Sequence, residues 1–233
     1  MIDEPNTSAS KETSRIEAFS DGVIAIAITL LILEIKIPKA AELGSDRLLF
    51  KLLQLWPGLL AFMMSFGMIL VMWVNHHRIF RLVRTTDYPF LYWNGFLLLT
   101  ITFVPFPTAV LAEHLKGAEA VTAASFYAGT MIVIAIAYDG LWFHLRRHPQ
   151  LLLLSADRAE IEAITSQYRF GPAYYLGALV LAQFSVAACL GTCASLAIYF
   201  AFASRPRLCR SGGIPETEDS WGGPNQSDRQ GTS

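Results

Sequence analysis

Apolar side chains run through this chain in long blocks separated by short polar turns. From Ala18 to Leu33 the only polar side chains are Ser20, Asp21 and Thr29. Ser14 and Glu17 stand at the spacing of a capping box, which predicts a helix opening at residue 15. About 24 residues lead from that cap to Pro38, enough to cross a roughly 30 Å hydrocarbon core at 1.5 Å per residue. Later blocks predict helices over about 51–80, 89–112 and 120–145. Trp56-Pro57 suits a first turn at a membrane interface, and Pro105 and Pro107 should kink or end the third helix near its far end. The block 170–203 is too long for one helix normal to the bilayer. Cys189-Leu190-Gly191-Thr192 offers a turn, so the pattern predicts a tight hairpin with arms 170–188 and 191–204, its short arms sheltered by protein. A short amphipathic helix is expected at 159–164, within the connection 146–169.

This organisation is an all-α membrane protein with six transmembrane helices in residues 15–204. A polar segment, 1–14, precedes them, and a Gly-, Ser-, Pro- and Asp-rich tail, 205–233, is expected to be disordered. Composition agrees: hydrophobic residues are 53% of the 233 and charged ones 16%, where soluble domains approach about a quarter charged. The net charge of −1 gives no basic balance that would suit nucleic acid. The start of the chain lacks a basic n-region, so the first apolar segment reads as an uncleaved membrane helix rather than a secretory signal. Cys189, Cys193 and Cys209 form no framework, and the first two read as packing thiols. Six spans put both termini on one side. Of the 18 Lys and Arg residues, only Lys36, Lys39, Arg47, Lys51 and Lys116 then fall on the other face, so the termini are expected in the cytoplasm.

On the first helix Phe19, Gly22, Ile26, Leu30 and Leu33 share one stripe, with Thr29 on its flank, at about 100° per residue. Ser20 and Asp21 project elsewhere, and a carboxylate at this depth should point into protein. The topology brings further polar groups to the same level: Arg15, Trp73, His76, His77, Asn94, Asp139 and His144. Their plainest role is a hydrogen-bonded belt that orients the helices. The rival roles are a proton relay or a metal site. His76 and His77 face about 100° apart and cannot chelate one ion together, and no HExxH or CxxC spacing is present. No nucleophile–base pair suggests an enzyme. If several copies of the first helix surround an axis, Ile26, Leu30 and Leu33 become stacked apolar rings that could gate a pore by dewetting. There is no TVGYG-type filter motif.

RxExFSDGVxAIAxTLL at 15–31, WVNHHRIF at 73–80 and PFPTAVL at 105–111 together resemble the signatures of the transmembrane protein 175 potassium channel family, in order. The resemblance extends from residue 15 to about 203. It implies a homotetramer in membrane lipid, a multi-pass protein of the plasma membrane whose first helix lines the pore. Its permeant ion would be potassium, moderately preferred over sodium, with no cofactor, metal site or nucleic acid partner. The family's apolar bottleneck corresponds to Ile26, with Leu30 and Leu33 one and two turns outward, and a selectivity hydroxyl to Thr29. Its structural network corresponds to Ser20, Asp21 and Trp73 with His77, His76 being the alternative. Some relatives conduct protons, so a proton channel or proton-coupled transporter using Asp21 and His77 is the second expectation.

Overall fold

The computed structural model describes residues 7–36, 38, 48–154 and 156–203. The tail at 205–233 and residues 1–6 lie outside that set. Helix α1, Thr7–Leu30, continues as a 3-10 turn over Leu31–Glu34. There follow α2, Leu48–Gln54, and α3, Trp56–Phe80. Next come α4, Tyr88–Thr102, α5, Pro105–His114, and α6, Ala120–Arg147. The chain then forms α7, Arg158–Tyr168, α8, Gly171–Ala182, and α9, Val186–Ala203. Among the described residues four stretches are long and apolar enough to cross a membrane: Lys11–Glu34, Trp56–Phe80, Tyr88–His114 and Ala120–Arg147. The chain is therefore a multi-pass, all-helical membrane protein.

Prolines set the breaks inside the expected helices. Pro57 cannot donate to the carbonyl four residues back, so the helix expected at 51–80 divides into α2 and α3. Pro105 and Pro107 divide the third span into α4 and α5. The freed carbonyls are met by tighter bonds, Val104 N–H to Ile101 O at 3.1 Å and Phe106 N–H to Phe103 O at 3.1 Å.

The expected capping box at Ser14 is not there. Helix is already formed at Thr7, because no glycine or proline interrupts the sequence between Pro5 and Gly22. Thr13, buried, turns its hydroxyl toward the Arg84 carbonyl at 3.5 Å, which draws this polar extension onto the bundle.

The turn expected at 189–192 is also displaced. The chain reverses at Gln183-Phe184-Ser185, and Cys189 and Gly191 lie inside α9. The Ser185 hydroxyl accepts from the Ala188 N–H at 3.3 Å, and the Gln183 amide donates to Ser125 Oγ at 2.9 Å. A side chain at Gly191 would meet open space, so that glycine serves no tight turn. At about 18 Å, the twelve residues of α8 fall short of the hydrocarbon thickness. The helix instead packs along α6, with Ala178 and Ala182 fully buried.

Helix α6 is the central pillar, packing against α4, α5, α8 and α9, and it buries Tyr127, Met131 and Leu141 completely. Helix α1 lies outside this core against α3 and α4. At the end of the bundle nearest the start of α4, the turn after α3 is clamped to the connection after α6. Arg84 N–H donates to Leu151 O at 2.7 Å and Leu153 N–H to Leu82 O at 2.9 Å.

Candidate functional site

Helix α1 has two unlike faces. Ile24, Ala27 and Leu31 are at most 1% exposed, whereas Phe19 is 65%, Ile26 59%, Leu30 42% and Leu33 72% exposed. The apolar stripe read from the sequence therefore faces away from the rest of the subunit. Leu33 lies in the 3-10 turn, where residues three apart eclipse, and this keeps it in line with Leu30. Thr29 is exposed beside the stripe and donates its hydroxyl to the Ile26 carbonyl at 2.8 Å.

The opposite side of α1 is pinned by two sets of polar bonds. In the buried set, Asn94 Nδ2 on α4 donates to Ser20 Oγ at 3.0 Å, and Ser20 donates to the Ile16 carbonyl at 2.9 Å. Asn94 Oδ1 faces His76 Nε2 on α3 at 3.0 Å. With the Asn94 amide donating to Ser20, its carbonyl oxygen must accept, so Nε2 is the ring nitrogen that carries hydrogen. His76 Nδ1 is left buried without a partner among the described residues. The ring stacks on Phe80 at 4.4 Å.

The second set lies nearer the surface. Trp73 Nε1 donates to Asp21 Oδ1 at 2.9 Å, and His77 Nδ1 meets Glu17 Oε1 at 2.9 Å. The Trp73 and His77 rings are stacked at 6.1 Å.

These contacts correct the expected roles of the two histidines. His77 bonds Glu17, with no hydrogen bond to Ser20 or Asp21 among the described residues, while His76 reaches Ser20 through Asn94. On α3 the two rings diverge by about 100°, so only His76 faces the gap between α1 and α4. Arg15 is exposed and takes no part in either set.

Asp139 and His144 also stand apart from this cluster. His144 Nε2 meets the Asp87 carboxylate at 2.9 and 3.0 Å, and Asp87 accepts from the Phe90 N–H at 2.9 Å as the cap of α4. Burial pushes the Asp87 carboxyl up, but the Phe90 N–H and His144 outweigh it and hold the group below its ordinary value.

A third polar group went unread in the sequence. Ser65 Oγ lies 2.6 Å from Thr108 Oγ1 and 3.1 Å from the Tyr127 hydroxyl, joining α3, α5 and α6 in the buried interior. A serine at the middle of α3 was its only signal. Among the described residues no three His, Cys, Asp or Glu side chains are placed to hold a metal ion.

A family model described as the endosomal/lysosomal potassium channel TMEM175 matches residues 15–105. A potassium channel of Chamaesiphon minutus is 56% identical over 204 residues, 88% of this chain and 99% of that protein. The crystal structure of a lysosomal potassium-selective channel TMEM175 homolog from Chamaesiphon minutus superposes with a TM-score of 0.76 at 55% identity, over 84% of this chain and 100% of that one. A chicken protein named endosomal/lysosomal proton channel TMEM175 is 46% identical over 77 residues, 30% of this chain and 15% of that protein.

Proposed function

The chain belongs to the TMEM175 family, and from that membership we propose that it forms a potassium-selective cation channel, with α1 of four identical subunits lining the conduit. The observation that carries this reading is the outward stripe of Phe19, Ile26, Leu30 and Leu33 on a helix whose other side is pinned by polar bonds. One subunit supplies one such stripe, which cannot enclose a path alone. Four copies about an axis turn the stripe into rings, with Ile26 the narrowest and Leu30 and Leu33 outward of it.

Such rings exclude ions by dewetting and need no carbonyl cage. Thr29 brings a hydroxyl next to the Ile26 ring. The six spans are α1, α3, the α4–α5 pair, α6 and the two arms of the α8–α9 hairpin, of which α8 is too short to cross in open lipid and is sheltered along α6, with both termini in the cytoplasm and the protein in the plasma membrane. The uneven division of Lys and Arg supports that orientation.

The test is reconstitution in liposomes with a potassium gradient, reading flux on sodium and proton substitution. Cysteines placed at Ile26, Leu30 and Leu33 should crosslink subunits on oxidation. Crosslinking confined to the Ile28 flank would mean that α1 is turned the other way.

A second reading, proton conduction, draws on the chicken relative's name and on the partly exposed Glu17–His77 pair beside Asp21. Acidification of the same liposomes with no potassium present distinguishes it.

A further inference from the structure

A groove of about 630 Å³ runs between α4, α6 and the bend that joins α7 to α8. Its walls are apolar: Trp93, Ile136 and Phe143, with Ile136 and Phe143 about half exposed. Arg146 near the end of α6 and Arg169 at the bend both line it and are exposed. Tyr168 packs near Tyr138 and Gly171 lies against Ala135, so Arg169 stands deeper along α6 than Arg146. Neither guanidinium forms an ion pair or side-chain hydrogen bond among the described residues; Arg169 lies 5.4 Å from the Phe170 ring centroid. The floor depends on Gly140, where a Cβ would come within 2.2 Å of the Trp93 ring. The Trp142 indole donates to Thr165 Oγ1 at 3.0 Å and fixes α7 beneath the opening.

We propose that this groove holds an anionic phospholipid, its phosphate between Arg146 and Arg169 and an acyl chain along Trp93 and Ile136. Both halves of the ligand follow from the lining. A free phosphate would leave the apolar wall uncovered, and a neutral lipid would leave the excess positive charge without a counter-charge. Arginine matches phosphate oxygens with two parallel N–H donors. Asp139 also lines the groove, seven residues before Arg146 and so about 10 Å deeper along α6, nearer the level of Arg169, and it opposes one of the two positive charges. With two positive groups against one negative, the groove keeps a net positive charge. Arg146 stands just beyond His144, which bonds Asp87 at the start of α4, so the lipid belongs to the leaflet at that end of the bundle. Under the topology proposed above, that is the cytoplasmic leaflet.

The experiment uses the full chain as the assembled protein in nanodiscs. One set contains phosphatidylcholine alone and a second phosphatidylcholine with phosphatidylglycerol, and the lipid retained on extraction is counted by native mass spectrometry. Wild type should retain phosphatidylglycerol over phosphatidylcholine. The pair Arg146→Gln/Arg169→Gln should lose this retention on the order of twenty-five-fold, about fivefold for each basic side chain near an anionic surface. Arg158→Gln, on α7 outside the groove, should leave retention unchanged, and Asp139→Asn should raise it. Inorganic phosphate at millimolar concentration should not displace the lipid; displacement would identify an anion site without the acyl chain and overturn the proposal. Unchanged retention in the double variant would also overturn it. So would dissociation of the oligomer in that variant, which would make the groove a contact with a second copy of the chain.

Discussion

The Trp73 indole on α3 donates to the Asp21 carboxylate on α1 at 2.9 Å, on the side of α1 away from its exposed stripe. Asp21 is therefore a fastening for α1, and its charge faces α3 rather than the stripe. Asp21→Asn keeps an acceptor oxygen and loses only the charge assistance, whereas Asp21→Ala removes the acceptor. Asp21→Ala is expected to cost ~1–2 kcal/mol of subunit stability and Asp21→Asn less than half of that. Thermal unfolding of the purified protein should show this order, and the losses should not add in a Trp73→Phe background. Normal stability with a large change in ion selectivity would place Asp21 in the conduit instead.

Asn94 is the central link of the buried set, bonded to both Ser20 and His76. Asn94→Leu fills the space and leaves the His76 Nε2–H with no acceptor, a cost of ~2 kcal/mol for a buried donor. Replacing the histidine as well, as His76→Phe with Asn94→Leu, removes the stranded donor and should recover part of the loss. Melting temperatures of the two single variants and the pair decide the matter. A pair less stable than Asn94→Leu alone would mean that His76 has another essential partner.

The sequence made the stripe legible and left its fastening ambiguous, for a physical reason. A stripe is periodic, so Ile26, Leu30 and Leu33 can be aligned from helical geometry alone. A hydrogen bond between helices depends on their rotation and separation, which one sequence does not state. His76 and His77 are chemically identical neighbours, and only the placement of Asn94 assigns the inner bond to His76. Arg15 shows the same limit from the other side: it sits in the motif, yet its side chain points outward. Helix ends followed local chemistry where proline acted, at Pro57 and Pro105. They departed from it at Ser14, where the buried Thr13 carries the helix past a good cap, and at Gly191, a glycine with space around it.

Gly140 lets α4 and α6 approach closely, with the Trp93 ring occupying the place of a side chain. Gly140→Ala should destabilise the subunit by ~1–3 kcal/mol through overpacking. Trp93→Leu should tolerate the extra methyl. Unfolding in detergent, compared across the two singles and the double, should show a smaller penalty for Gly140→Ala when Trp93 is gone. Equal penalties in both backgrounds would mean that the ring is not what the methyl meets.

Asp87 ties the start of α4 to His144 near the end of α6, and its carboxyl is held below the ordinary value of 3.8. A depressed carboxyl contributes stability that is fully present above the unfolded value and is lost as pH falls through the folded one. The contribution should therefore be intact at neutral pH and decline only below about 4. Asp87→Asn removes this dependence, so its melting temperature should fall less steeply than that of wild type across that window. Parallel curves would mean that other groups govern the acid limb.

In the proposed channel the Ile26 ring decides how an ion crosses a path that offers no carbonyl ligands. Isoleucine side chains give no oxygen, so an ion passing them keeps most of its first water shell or loses hydration that nothing replaces. Potassium holds its waters less tightly than sodium, so a narrow apolar ring favours potassium through partial dehydration. The preference should be modest, because neither ion is compensated. Ile26→Asn puts a hydrogen-bonding group at the level proposed to be narrowest. It should wet the ring, raise resting conductance and bring the potassium and sodium permeabilities closer together. Thr29→Ala should reduce the preference with less effect on conductance, since the Thr29 hydroxyl flanks the ring and bonds the Ile26 carbonyl. Reversal potentials under bi-ionic potassium and sodium conditions, with wild type beside each variant, read both effects. If Ile26→Asn leaves conductance and reversal potential unchanged, the barrier lies outward, and Leu30 and Leu33 are the positions to substitute next.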